Sequence, residues 1–503
     1  MTQSVSESFR ISFLNSNDIS AERPDGLELN FRDSSNRDGS YCLSSVDSLA
    51  HFNKNLTMSP HQMAASVAAG VKEHFRESLS EALLIDYADR DCIAPFKAKE
   101  IMLGRLLGSG EFSNVYEIKS FCPDKSVDKT ASDREIETRQ YMIGREKYRD
   151  TKKATYALKH LRSGLIDVYK SSQCAQFATD LVREAEILSV LQHPNIIKLR
   201  GVSFLDATGF VHGPKGYFLI IDRLDETLVD RIAKWKQGPK KGRFDRLQSS
   251  VANAVSKAAK KKERGSDEVI LLHQQLEVML QIAAAIVYLH DKNIIFRDLK
   301  PANVGFDVRG DAKLFDFGLA KIMPANGDPY KDSYKMSCAG TPRYMSPEVL
   351  CGKMGYNLKA DVYTFSIVLW EVLSLERPFP FIRNKLALID HILVENGRPV
   401  IEHDWPLSIQ ETLKTSFGTP EGRPTVRVIF EVIRSELCHM KNGDISKLRD
   451  SFLLRRRTVT SARNLVEVEP ARRSPIKIGE SVRATLASSI TKFGRQISES
   501  RST

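Results

Sequence analysis

The chain has 503 residues, 42% of them hydrophobic and 27% charged, with a formal net charge of +11. This composition excludes a fully disordered chain, a collagen-like chain and a small disulfide scaffold, and the length allows about three domains or one large two-lobed one. The charge is concentrated: residues 234–264 carry +9 and residues 445–503 carry +8, which leaves −6 for everything else.

Residues 1–66 contain fourteen Ser and few clustered apolar residues, so they bury too little surface to offset their ordering entropy and read as disordered. Val67, Val71, Phe75, Leu79 and Leu83 then recur every fourth residue, one stripe of an amphipathic helix that docks on a neighbouring domain or on a partner. From Ile101 the period shortens. Short β-like runs begin at Ile101, Val115 and Tyr156, and the polar stretch Cys122–Lys153 between the last two has no strand pattern; it reads as an insertion, because loops that long are uncommon in a compact domain. Leu181–Gln192 is an amphipathic helix and Tyr217–Ile221 an apolar strand, after which the pattern is mostly helical. Strands first and helices later predict an α+β fold with two segregated lobes.

Several short motifs bear chemistry. Leu107, Gly108, Gly110, Ser113 and Val115 form a GxGxxSxV turn between two strands, where glycines let backbone amides approach phosphates. It leads into a strand, not a helix, which argues against a dinucleotide fold. Lys159, with small Ala157 two residues before it, can reach polyphosphate oxygens from a strand. Glu184 lies on the helix face that can meet Lys159; Glu186 is a fallback that should face elsewhere. The stretch from Ile294 to Asn303, IIFRDLKPAN, brings Asp298, Lys300 and Asn303 within six residues. Asp can accept a hydroxyl proton, Lys can neutralise a phosphoryl group and Asn can hold a metal. Asp316, in Leu314-Phe-Asp-Phe-Gly318, can chelate Mg²⁺ between phosphate oxygens. Gly340-Thr-Pro-Arg-Tyr-Met-Ser-Pro-Glu348 closes the segment.

In this order and at these separations the motifs resemble those of the eukaryotic-type protein kinases, over about Lys99 to Met440. DVYTFS from Asp361 and GRPT around Arg423 extend the resemblance, which is greatest to the tyrosine-kinase-like branch of Ser/Thr kinases. It implies a bilobal kinase fold, with a small antiparallel β-rich N-lobe carrying one main helix and a larger, mostly helical C-lobe. The implied organisation is a mostly disordered region 1–97 with a helix near 63–88, an N-lobe 98–222 with the insertion 122–153, a C-lobe 223–440 with the basic insertion 234–264, and a basic disordered tail 441–503.

The resemblance also implies roles. The amides of Gly108–Ser113 cover the phosphates of ATP. Lys159 holds the α- and β-phosphates and is held by Glu184. Asn303 and Asp316 bind Mg²⁺. Asp298 is the catalytic base, Lys300 stabilises the γ-phosphoryl group, and Thr341 bridges the two. Adenine lies against Leu107, Val115 and Ala157, on the hinge Asp222–Leu224, with Ile221 as gatekeeper. Asp361 holds the catalytic-loop backbone and Arg423 pairs with Glu348. Lys300 and the GTPRYMSPE segment imply Ser/Thr specificity on protein substrates, with dual specificity left open. Arg297 implies an activating phosphate on the activation segment, set by an upstream kinase, and Ser337 is the candidate site.

Phe296 stands where the family usually has His, and its ring keeps an apolar contact with Phe317 while losing a hydrogen-bonding group. That departure supports the alternative of a catalytically silent scaffold that binds nucleotide and partner proteins. The basic insertion reads as a nuclear import patch, an acidic-lipid contact, a docking site or a solvated loop. Only Trp235 and Phe244 interleave its charges, so no nucleic-acid partner is expected. The seven cysteines are odd in number, widely spaced and without a CxxC pair, which fits reduced thiols and a cytoplasmic protein, with nuclear entry through the basic insertion as the variant reading. The longest strongly apolar helical stretch, Ile282–Leu289, is short of the ~20 residues of a membrane span, so no transmembrane segment is expected.

Overall fold

A computed structural model describes residues 93–442 except 111, 130, 149–153, 166–170, 205–214, 239–256, 325–326 and 353–354, together with part of a helix between 70 and 79. The described residues belong to one compact unit. The Ser-rich start, the two ends of the apolar stripe at Val67 and Leu83, the middle of the basic insertion and the tail from 443 lie outside them. Of the five stripe residues, Val71, Phe75 and Leu79 are described, Val71 half-buried and the other two buried.

The first lobe is a six-stranded sheet: β1 (Ala94–Phe96), β2 (Ile101–Ser109), β3 (Ser113–Phe121), β4 (Tyr156–Leu161), β5 (Leu199–Ser203) and β6 (Phe218–Asp222), in the order β1-β5-β6-β4-β3-β2. β1 pairs with β5 in parallel and the other pairs are antiparallel. The sheet therefore starts at Ala94, ahead of the expected lobe boundary at 98. Every residue of β4 is buried, the mark of a central strand covered on both faces. Its Tyr156 and Leu158 pack with Phe96, Ile118, Phe218 and Ile220 on one side.

The stretch between β3 and β4 is helical: α1 (Lys125–Asp128) and α2 (Asp133–Lys147). The start of α2 is fixed by a capping box in which Ser132 and Glu135 satisfy each other's backbone amides. Its Met142 enters the sheet's core, and Arg139 is 1% exposed. Arg139 donates twice to the buried carboxylate of Glu100 (2.7 and 3.3 Å), once to Asp128 (3.2 Å) and once to the carbonyl of Pro95 (2.5 Å), with its guanidinium 4.6 Å from the Phe96 ring centre. The backbone N–H groups of Lys97 and Asp124 also donate to Glu100. The insertion is thus built into the lobe. α3 (Ser171–Ser189) packs on β4 and β5 and on the turn after Asp316.

The second lobe begins with β7 (Glu226–Thr227) and α4 (Leu228–Gln237). α5 (Lys257–Asp291) is 35 residues long, about 52 Å at 1.5 Å per residue. The basic insertion therefore ends inside a helix that continues into the lobe's core. Its part Asp267–Asp291 is long and apolar enough to cross a membrane, which corrects the expectation from Ile282–Leu289; 56% of its most apolar window is buried in the lobe, as in a core helix. After it come β8 (Ile294–Ile295), β9 (Val304–Phe306), β10 (Ala312–Leu314) and β11 (Lys321–Ile322), in two small sheets. α6 (Pro347–Cys351), α7 (Lys359–Ser374), α8 (Lys385–Leu393), α9 (Leu407–Ser416) and α10 (Val426–Asn442) complete the lobe. All residues of α7 from Lys359 to Leu373 are buried, so it is the axis on which the loops above are hung. A β-rich lobe followed by a helical one is the expected α+β bilobal kinase fold.

Candidate active site

Lys159 and Glu184 meet at the junction of β4 and α3. Lys159 Nζ donates to Glu184 Oε2 at 2.6 Å and to Asp316 Oδ1 at 2.9 Å. Burial opposes the charge of Lys159, but the carboxylates of Asp316 and Glu184 outweigh it and hold its pKa above the usual lysine value. Burial also raises the carboxyl of Glu184, against the pull of Lys159. Glu186, the fallback, is buried as well, but Lys159 bonds to Glu184.

Asp298, Lys300, Asn303 and Thr341 form a second cluster. Thr341 Oγ1 donates to Asp298 Oδ1 at 2.8 Å and accepts from Lys300 Nζ at 2.9 Å. Lys300 Nζ is 2.9 Å from Asp298 Oδ2. Asn303 Nδ2 donates to the backbone and side-chain oxygens of Asp298 at 2.9 and 3.0 Å. Burial opposes the charge of Lys300, but Asp298 keeps its pKa raised. The approach of Thr341 depends on Gly340, which has φ 119°; a Cβ there would meet the carbonyl oxygen of Arg297 at 2.5 Å.

The loop bearing Asp298 is held from below. Asp361, fully buried at the start of α7, accepts from the backbone N–H of Phe296 (2.7 Å) and Arg297 (2.9 Å). These contacts hold Arg297 at φ 68°, a conformation rare for a non-glycine residue. Asp316 has φ 66°. The Phe296 and Phe317 rings meet edge-on with centres 5.0 Å apart, both buried. Arg423 forms a two-pronged pair with Glu348 at 2.6 and 2.9 Å, tying the end of the segment to the turn before α10.

The Gly-rich turn joins β2 and β3, with Gly108 opposite Val115 and Gly110 N–H bonded to the Ser113 carbonyl at 2.8 Å. At its tip Phe112 stacks on Phe177 of α3, ring centres 3.9 Å apart. Ala157 lies opposite Ile221 in the β4–β6 ladder. Both, with Leu107, are buried apolar residues of the sheet. Asp222, at the end of β6, is gripped by Arg200 at 2.7 and 2.9 Å. Leu224 packs over Gly305 so closely that a Cβ on the glycine would come within 2.5 Å of it.

Ser337 is exposed, 3.5 Å from Arg297 Nη1. Tyr356 donates to the Ser337 carbonyl at 2.7 Å, and Arg297 reaches the same phenol at 3.4 Å. The sequence motifs include Gly340 but not Tyr356 or His290, which acquire their role only through distant contacts.

The donor set suits a hard cation with nucleotide phosphates. Asp316 is 46% exposed at its side chain. With its nitrogen turned to Asp298, Asn303 has its amide oxygen left for a cation. Among the described residues no group of three His, Cys, Asp or Glu could hold a metal. One carboxylate and one amide fit Mg²⁺, which takes its remaining ligands from phosphate and water.

A family model described as protein kinase domain matches residues 143–414, from within α2 to within α9. The chain is 35% identical over 184 residues to the dual specificity protein kinase shkA of Dictyostelium discoideum, 35% of this chain and 34% of that protein. It is 32% identical over 213 residues to the human serine/threonine-protein kinase Nek2, 41% of this chain and 39% of that protein. A probable serine/threonine-protein kinase of Dictyostelium discoideum is 27% identical over 263 residues, 52% of this chain and 13% of that protein. The chain thus spans about two fifths or less of the length of these relatives. With more than half of its residues matched and the two-lobed fold in place, the chain belongs to the protein kinase family.

Proposed function

We propose that the chain is an active protein Ser/Thr kinase that transfers the γ-phosphate of ATP to hydroxyl groups of protein substrates. The observation that carries this reading is the convergence of two intact charge clusters, Lys159–Glu184–Asp316 and Asp298–Lys300–Asn303–Thr341. Phosphoryl transfer asks mainly for positioning and charge neutralisation. Lys159 binds the α- and β-phosphates, fixed by Glu184. Asp298 orients the substrate hydroxyl and accepts its proton, with its carboxylate aimed by Asn303 and Thr341. Lys300 neutralises the transferring group. Leu107, Val115, Ala157 and Ile221 supply apolar contacts for adenine, beside Asp222 and Leu224. Mg²⁺ held by Asn303 and Asp316 would add charge neutralisation on the phosphates.

Lys300 and the segment from Gly340 to Glu348 favour Ser/Thr acceptors, and the name of the dual specificity relative keeps tyrosine in the assay. Exposed Ser337 beside Arg297 supports its assignment as the activating phosphosite. The test is transfer of radiolabelled phosphate to a generic basic protein, a tyrosine polymer and the chain itself. Wild type should label the Ser/Thr substrates, and Asp298→Asn should lose the activity. No transfer by wild type, even after co-expression with upstream kinases, would leave the scaffold reading.

A further inference from the structure

Tyr330 lies in the activation segment, between Asp316 and Glu348, in a stretch docked on the loop before α7. The Leu358 N–H donates to the Pro329 carbonyl at 3.1 Å, and Asn357 Nδ2 donates to the Tyr330 carbonyl at 3.1 Å. The Lys359 ammonium is 5.9 Å from the Tyr330 ring centre. From this docked position the phenol reaches inward, with Tyr330 Oη 3.0 Å from His290 Nδ1. His290, near the end of α5, is 3% exposed. Its other nitrogen, Nε2, is 3.0 Å from Asp361 Oδ2. That oxygen also accepts the Phe296 N–H, and its twin accepts the Arg297 N–H. Asp298 follows directly.

The proton order along this line follows from donor chemistry. A carboxylate only accepts, so Nε2 carries the proton toward Asp361. In the neutral imidazole Nδ1 is then an acceptor, and the phenol is the donor it requires. Each group needs the next: without the phenol, Nδ1 is a buried acceptor with no donor, and the preference for the Nε2–H form falls.

We propose that Tyr330 is a positioning residue for the catalytic loop, holding by its hydrogen bond the His290 ring whose tautomer Asp361 sets, and through it the grip of Asp361 on Phe296 and Arg297. The activation segment is then coupled to Asp298 by a line of four groups with buried His290 and Asp361 at its centre, apart from any phosphate on Ser337. A segment lifted off α7 would carry the phenol away and loosen the loop that aims the catalytic carboxylate. Its effect on turnover rests on the kinase reading above; its effect on the loop does not.

The experiment compares the full chain with Tyr330→Phe, which keeps the ring and its packing. Nitrogen-15 NMR on histidine-labelled protein should show His290 as the Nε2–H tautomer in wild type and a shifted Nδ1 resonance in the variant. Hydrogen exchange of the peptide containing Phe296 and Arg297 should speed up about tenfold in the variant. In transfer assays kcat should fall about tenfold with the KM for ATP unchanged. An Nδ1–H tautomer in wild type, or a variant with unchanged exchange at 296–297, would overturn the proposal. If wild type transfers no phosphate while the tautomer and exchange results hold, the kinase reading fails and the positioning role stands.

Discussion

Two buried cation–carboxylate pairs, Arg139–Glu100 and Lys159–Glu184, sit in the same lobe and have opposite characters. Arg139 and Glu100 are 1% and 0% exposed, and every arm of the guanidinium is occupied by Glu100, Asp128 or the Pro95 carbonyl. Lys159 and Glu184 are nearly as buried, but their third member, Asp316, is 46% exposed at its side chain and belongs to the other lobe. The first group is closed and joins an insertion to a sheet. The second includes a half-exposed carboxylate and joins the two lobes. Burial and pairing are common to both, so neither identifies a site. What distinguishes the second is a carboxylate that reaches solvent, together with a lysine held charged against its burial.

Substitutions can break or sharpen this contrast. The largest expected effect is at Lys159. Lys159→Met should lower transfer by about a thousandfold, the scale of removing a preorganised charge. Its melting temperature should move much less than that of an Arg139 variant, because Asp316 reaches solvent and burial already drives Glu184 toward its neutral form. Arg139→Met should do the reverse, costing about 3–5 kcal/mol of stability by stranding Glu100 while activity per folded molecule holds. Chemical denaturation paired with single-turnover assays reads both, and a large activity loss in folded Arg139→Met would erase the distinction.

Glu371 sharpens it further. Burial raises this glutamate of α7 from 4.5 to about 7, with Tyr344 as hydrogen-bond partner and Arg377 and Arg343 nearby. Its Oε2 has no hydrogen-bond partner, so it is neither closed like Glu100 nor part of a link between the lobes. Folded Glu371 keeps its proton to about pH 7, whereas an unfolded glutamate loses it near 4.5. Folding takes up a proton between those values, and stability is lost as pH rises through that window. Glu371→Gln should remove that loss, gaining about 3 kcal/mol over wild type at pH 8 and little at pH 4.5. Thermal melts across pH check it; parallel curves for the two proteins would refute the assignment. The smallest effect is Ser132→Ala, which removes the α2 cap and should cost about 1 kcal/mol with transfer unchanged.

The site was legible in the sequence to the degree that its residues lie close together. Asp298, Lys300 and Asn303 are neighbours on one loop, and their side-chain types are those expected of a phosphate-handling set. Lys159 and Glu184 were legible through element type, a strand lysine and a helix glutamate. The insertion was not. Arg139 reads as one more surface charge on a polar helix, and only Glu100, 39 residues away, makes it interior. The Ser132–Glu135 pair is the local helix-start signal in this stretch. β1 has three residues, too few for a period to show, and its place is fixed by pairing with β5. The link from Tyr330 to His290 spans 40 residues and has no local pattern.

The stacking of Phe112 on Phe177 makes the height of the Gly-rich turn and the position of α3 a single thermodynamic variable. A small molecule that props the turn open gives up that ring pair, worth about 0.5–1.5 kcal/mol, or roughly a two- to twelvefold loss of affinity. By reciprocity, anything that draws α3 away from the sheet returns the same factor to such a ligand. Inhibitor selectivity for this chain would therefore be set partly at a ring contact that the inhibitor itself need never touch.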